Sequence, residues 1–308
     1  MKKAFTLIEL VVAVAILAMV LSFAGVIFKV SINAYRTAMA NTEIMQKLRA
    51  ITDQLNRDFK GLQKDGYLML FSEVQPNRRE YQNSDPCNFR ADRLYYFSTG
   101  DFQSWFEPNI RSNIARVYFG HDWFSLIDDN IPVSKWNLAR DVILLTPGHS
   151  SLDCNDISYA ERKADWLTWL DASSLLGSGI PIDIETDAND VRRLMCQNAG
   201  AMQIEWTDGT KLPPNNSLAW FGFDLLWSEF HDIPPIDDYP FIEYKWGTYY
   251  IAFWIPDTRF GDEWPGDRPM GAPGEYWPKA LKFTFTLYDS KGILEGGRTF
   301  THIVYIGE

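Results

Sequence analysis

The 308-residue chain predicts an α+β fold, one long N-terminal helix packed on an antiparallel β-sheet domain. Three observations carry that prediction. From Phe5 to Leu62 no proline interrupts a pattern that begins as continuous apolar sequence and thins into a helical stripe. Beyond Gly66 the apolar residues shift toward a period of two, the signature of half-buried strands. The strands gather after a single helix instead of alternating with helices, which separates α+β from a parallel α/β sheet.

The helix has two halves. Residues 5–30 are a mainly apolar run whose only charges are Glu9 and Lys29, and the run is long enough to cross a bilayer. Over residues 31–64 the apolar positions Ile32, Tyr35, Met39, Met45, Leu48, Ile51, Leu55, Phe59 and Leu62 recur mostly at steps of three and four. That spacing puts them along one buried face. Gly61 and Gly66 mark the stop, and at 1.5 Å per residue the helix spans roughly 85 Å. Strands are expected at Arg93–Ser98, Ala115–Phe119, Val142–Leu145, Met202–Trp206, Tyr249–Trp254, Ala280–Leu287 and Phe300–Ile306. The clearest sets Leu281, Phe283, Phe285 and Leu287 against Lys282, Thr284 and Thr286. The turn Asp289-Ser290-Lys291-Gly292 returns the chain into the last strand as an antiparallel pair. A short helix is expected around Tyr159–Leu170, and irregular connections at about 72–92, 146–157, 207–217 and 256–279.

Glu9 is the chemically odd residue. A carboxylate at the centre of a membrane helix costs about 2.5–3.5 kcal/mol, less near the interface, so it calls for a partner. Cleavage between Ala4 and Phe5 would create a terminal ammonium four positions away. Between staggered neighbouring helices, that ammonium pairs with the Glu9 of the next copy. The acid then sets the register of stacked subunits, as a single buried polar residue does in coiled coils.

These residues resemble the class III signal of type IV pilins and type II secretion pseudopilins: a basic leader, a small residue, Phe-Thr-Leu-Ile-Glu and an apolar run. The resemblance implies a 1–4 leader removed by prepilin peptidase, a methylated Phe5 amine and an assembly role for Glu9. Ala4 stands where the family usually has glycine; both are small. The later order, KLRAITDQLNRDFKGL, ADRLYYF, IARVYFG, WPKALKFTFTLYD and RTFTHIVYIG, is similar to J-type minor pseudopilins. It implies a pilin-like periplasmic domain over 65–308, with an inserted subdomain at about 122–247 that is longer than that family needs. Implied partners are other minor and major pseudopilins or pilins, prepilin peptidase and the inner-membrane assembly platform. The subunit would stand at or near the tip of a pseudopilus or pilus. Lys2 and Lys3 place the N-terminus in the cytoplasm of a single-pass inner-membrane protein, with the globular domain in the periplasm. An ordinary signal peptide or plain signal anchor is the alternative for the segment. Against the former stand the length of the run and the interruption at Glu9.

The formal charge is −11, and loss of Lys2 and Lys3 takes it to −13. That acidity argues against nucleic acid as a partner, since phosphates demand basic patches. Three cysteines are too few and scattered for a zinc ribbon or redox site; Cys154–Cys196 is the simplest disulfide, leaving Cys87 free. No HExxH, GxSxG, Walker A or GxGxxG motif occurs, so no catalytic residues and no enzyme are expected. His302 reads as a structural strand residue, and His121, His149 and His231 are scattered. Two acidic stretches, Asp183, Glu185, Asp187, Asp190 and Asp257, Asp262, Glu263, Asp267, lack EF-hand order: Ala188 replaces the required glycine and Leu194 the bidentate glutamate. They read as solvated loops, with weak calcium binding as the alternative. No other cofactor or metal is expected. The 12 Trp, 14 Tyr and 20 Phe read mainly as core. A tip adhesin stacking glycans on exposed rings is the alternative function.

Overall fold

The computed structural model describes residues 7–62, 68–75, 89–104, 109–122, 131–144, 193–209, 211–212, 216–222, 242–246, 249–254 and 277–306. The architecture is α+β, pilin-like: one helix, α1 (Leu7–Lys60), packed on antiparallel sheets. The strands are β1 (Leu68–Gln75), β2 (Phe89–Arg90), β3 (Arg93–Gln103), β4 (Arg111–His121), β5 (Asn137–Leu144), β6 (Leu194–Gln197) and β7 (Ala199–Thr207). They continue as β8 (Lys211–Leu212), β9 (Ser217–Leu218), β10 (Ile242–Trp246), β11 (Tyr249–Trp254), β12 (Ala280–Leu287) and β13 (Arg298–Tyr305). One eight-stranded sheet runs β10-β11-β1-β3-β4-β5-β6, with β2 paired to β1. A second sheet has the order β13-β12-β7, and β8-β9 form a small ribbon.

The helix ends where the sequence places its stop. Gly61 N–H bonds back to Asp58 O, and Leu62 then makes a bridge with Ser98 of β3. A Cβ on Gly61 would collide with Thr99 O and Ser98 Oγ, so only glycine permits this approach of helix end to strand. From Ala40 onward the helix is anchored by Ala40, Ile44, Ile51, Leu55 and Phe59. These side chains fill a core shared by both sheets. Leu68, Leu70, Leu94, Tyr96, Val117 and Phe119 enter it from the large sheet, and Met202, Ile204, Leu281, Phe283 and Phe285 from the three-stranded one. Phe59 stacks on Tyr96 at 4.7 Å and meets Phe283 edge-on at 5.9 Å, so one helical side chain touches both sheets.

Several strands depart from expectation for identifiable reasons. β1 covers part of what reads as an irregular connection over 72–92. It is a central strand with Leu68, Met69, Leu70 and Phe71 all buried, so it lacks alternation. β5 begins at Asn137, well before the expected Val142. Arg140 and Asp141 disguise it, because their charges are answered by Asp58 and Arg193 and not by water. β2, β6, β8, β9 and β10 are too short to stand out. The span 122–247 contributes β5 and β6 to the large sheet and β7 to the small one, so these strands belong to the sheets themselves. The expected helix at 159–170 and both acidic stretches lie outside the described residues. β12 and β13 form the anticipated antiparallel pair, Ala280 opposite Tyr305 through Leu287 opposite Arg298.

Candidate processing and assembly site

The site begins as a helix without a core of its own. From Leu7 to Met39 no side chain of α1 is buried, and Ala40 is the first residue that packs into the domain. Leu10, Leu17, Phe23, Ile27 and Phe28 are among the apolar residues left exposed. This stem is long and apolar enough to cross a membrane. Ordinary folding would bury such a face; its exposure means the stem is made for lipid or for other helices. Glu9 sits in the first helical turn, where the positive end of the helix dipole favours a carboxylate. Ala4 and Phe5 lie outside the described residues.

Where the stem meets the domain, a polar clamp fixes its exit. Glu43 accepts hydrogen bonds from Ser290 N–H (3.0 Å) and Ser290 Oγ (3.1 Å) and pairs with Lys47 at 2.9 Å. Lys47 Nζ donates to Tyr288 O at 2.8 Å. The turn itself is organised by Asp289, whose carboxylate accepts the backbone N–H groups of Lys291, Ile293 and Leu294 at 3.2, 2.9 and 2.8 Å. Burial works to raise the Asp289 carboxyl, but these three donors outweigh it and hold the group below its ordinary value. Glu43 behaves alike: burial opposes, and the Lys47 and Ser290 bonds win, lowering it.

At the far end of α1, Asp58 locks the helix to β5. Arg140 grips it through Nε–Oδ2 at 2.6 Å and NH2–Oδ1 at 2.7 Å, and Gln54 Nε2 adds 2.8 Å to Oδ1. Ser98 Oγ donates to the Asp58 carbonyl at 3.0 Å. Burial, reinforced by the Asp58 charge, pushes the neighbouring Tyr96 hydroxyl well up, keeping it neutral. A second buried pair ties the sheets together. Arg90 forks onto Asp92 at 2.9 and 2.6 Å, and Asp92 Oδ2 accepts Ile204 N–H at 2.7 Å. Sequence reasoning missed these residues. The available signal was an acid, Asp58, between Leu55 and Phe59 on the helix face that must be buried.

Both described histidines serve structure, and His149 and His231 lie outside the described residues. His121 is fully buried and its Nε2–H donates to Gly200 O at 2.7 Å; burial lowers its pKa to about 4, so the ring is neutral. His302 lies on β13 with Nε2 3.0 Å from Asn56 Oδ1. Cys196 is a free, buried thiol whose Sγ–H donates to Gln197 O at 3.3 Å, and burial raises it to about 11. Cys154 and Cys87 lie outside the described residues. No group of three metal-ligating side chains comes together among the described residues. Trp136, Trp206 and Trp277 are buried core, and Trp220 lies under the Lys282 ammonium at 4.9 Å.

An exposed apolar stem emerging from a β-rich head defines a pilin-like, membrane-anchored subunit. Residues 1–25 match the family described as the prokaryotic N-terminal methylation motif, a span that includes Ala4, Phe5 and Glu9. The chain is accordingly type IV pilin-like, a precursor of pilin or pseudopilin type for prepilin peptidase, whose class is structural and not enzymatic. No curated protein matches the chain, and no solved structure does.

Proposed function

We propose that this chain is a minor pseudopilin or minor pilin, most like the J type, built at or near the tip of a type II secretion pseudopilus or a type IV pilus. Prepilin peptidase cuts between Ala4 and Phe5, and the Phe5 amine is methylated. Glu9 then meets the terminal amine of a neighbouring subunit. The observation that carries this reading is the stem: from Leu7 to Met39 it buries nothing against its own domain, while it carries one acid in its first turn. A span of that kind anchors the precursor in the inner membrane, head in the periplasm, and afterwards packs among the helices of other pilin subunits. The large two-sheet head suits a low-copy terminal position, since a bulky subunit fits poorly inside a tight helical filament. Its partners are the other minor and major pseudopilins or pilins, the peptidase and the assembly platform. In an oxidising periplasm the Cys196 thiol, free in this structure, would be the one to join Cys154 in a disulfide.

The test is Glu9→Val. Membrane insertion is expected to persist, because the substitution makes the stem more apolar. Incorporation into the filament, read by co-purification with sheared filaments, is expected to be lost. Normal incorporation of the mutant would defeat the register role.

A further inference from the structure

The three-stranded sheet has one protected edge and one open edge. β7 is covered by the Trp206–Phe221 and Ala91–Met202 bridges, whereas nothing among the described residues pairs with the outer side of β13. Ile306 N–H donates to Lys279 O at 2.8 Å, which fixes the parity of the strand. Phe300, His302 and Val304 direct their backbone groups to β12; Thr299, Thr301, Ile303 and Tyr305 direct theirs to the open edge. The strand pairs with β12 over eight residues without a register shift. It contains no proline and no lysine, and its one formal charge, Arg298, stands at its end. The devices that normally blunt an exposed edge are missing. Outside helix α1, Ile303 (37%) and Tyr305 (69%) are the exposed large apolar side chains among the described residues, and both point to the outer face of this strand.

On the inner side lies a basic flank of α1. Asn56 meets His302 there. Arg49 and Lys60, seven residues before and four after Asn56, share its side of the helix. Arg57 adjoins them, and Asp53 is the one acid among them; all five are exposed. Three bases against one acid stand out in a chain of net charge −11.

We infer that β13 takes an extended segment of a different polypeptide by strand addition, with acidic residues facing the α1 flank and apolar residues beside Ile303 and Tyr305. The inference rests on reading the stem as a membrane anchor, because that reading excludes antiparallel pairing of β13 with a second copy of the chain. Ser290, before β13, meets Glu43, and His302 meets the later Asn56, so β13 runs in the direction of α1. Two β13 strands paired antiparallel would send their stems in opposite directions, which copies in one membrane cannot do.

The test uses the full chain in nanodiscs and two fluorescent octapeptides, one alternating Val and Glu, the other Val and Lys, followed by polarisation. Saturable binding of the Val/Glu peptide, at least tenfold tighter than Val/Lys, is expected. Thr301→Pro removes an outward N–H and no backbone bond to β12, giving up only the exposed 3.4 Å hydroxyl contact with Thr284, and abolishes binding. Should that variant misfold, the surface change Arg49→Glu with Lys60→Glu carries the test by reversing the peptide preference. Equal binding of the two peptides, no binding of either, or folded Thr301→Pro binding normally overturns the inference. So does dimerisation lost in Thr301→Pro, which would assign the edge to a second copy. A chain that fails to enter nanodiscs sinks the anchor reading, and the exclusion of self-pairing with it.

Discussion

Arg140→Ala would strand the Asp58 carboxylate, and the geometry sets how much that should cost. Asp58 is 7% exposed and Arg140 23%, joined by two short charge-assisted bonds. In Arg140→Ala the carboxylate stays buried with Gln54 as its remaining side-chain donor. Breaking such a pair from one side costs about 3–5 kcal/mol, mostly the uncompensated charge. Asp58→Ala leaves the guanidinium instead, which can reach water, so its loss should be smaller, about 1–3 kcal/mol. The expected order is therefore Arg140→Ala worse than Asp58→Ala, with the double mutant no worse than Arg140→Ala. Thermal unfolding of the full chain in detergent, followed by tryptophan fluorescence, should show Arg140→Ala lowering Tm by roughly 6–20 °C. A shift of under about 2 °C, or the opposite order of the single mutants, would refute the claim that this pair locks helix to sheet.

His121 makes stability pH-dependent with a defined sign. Its folded pKa is depressed to about 4 from 6.5, so the unfolded chain takes the proton first as pH falls. Nothing is lost above pH 6.5; between there and about 4 roughly 3 kcal/mol should disappear, and His121→Asn should flatten this part of the profile in denaturant titrations. Asp289→Ala leaves three turn N–H groups without their acceptor and should cost about 1–3 kcal/mol, seen as faster amide exchange at Lys291, Ile293 and Leu294. Because the Asp289 and Glu43 carboxyls are lowered, their contribution is complete above their ordinary values and fades as pH drops through the lowered ones.

Much of this architecture was written locally. The helix stripe, Gly61 as its stop, the alternation of Ala280–Leu287 and the final hairpin are all patterns of neighbouring residues. What stayed hidden depends on distant residues. β1 lacks alternation because both its faces are covered, and β5 looks like a loop because Arg140 and Asp141 find their counter-charges on α1 and at Arg193. The clamp of Glu43 and Lys47 on the Tyr288–Ser290 turn joins residues more than two hundred positions apart. At the N-terminus, by contrast, the whole methylation motif lies within residues 1–25, so the pilin-like class was legible without any fold at all.

The central claim is that the stem belongs to a processed pilin-type precursor. Mass spectrometry of the N-terminus of protein isolated from its own cells tests it most directly. A processed precursor begins at Phe5 with one added methyl group; a chain retaining Met1, or starting well past Val30, would rule that processing out.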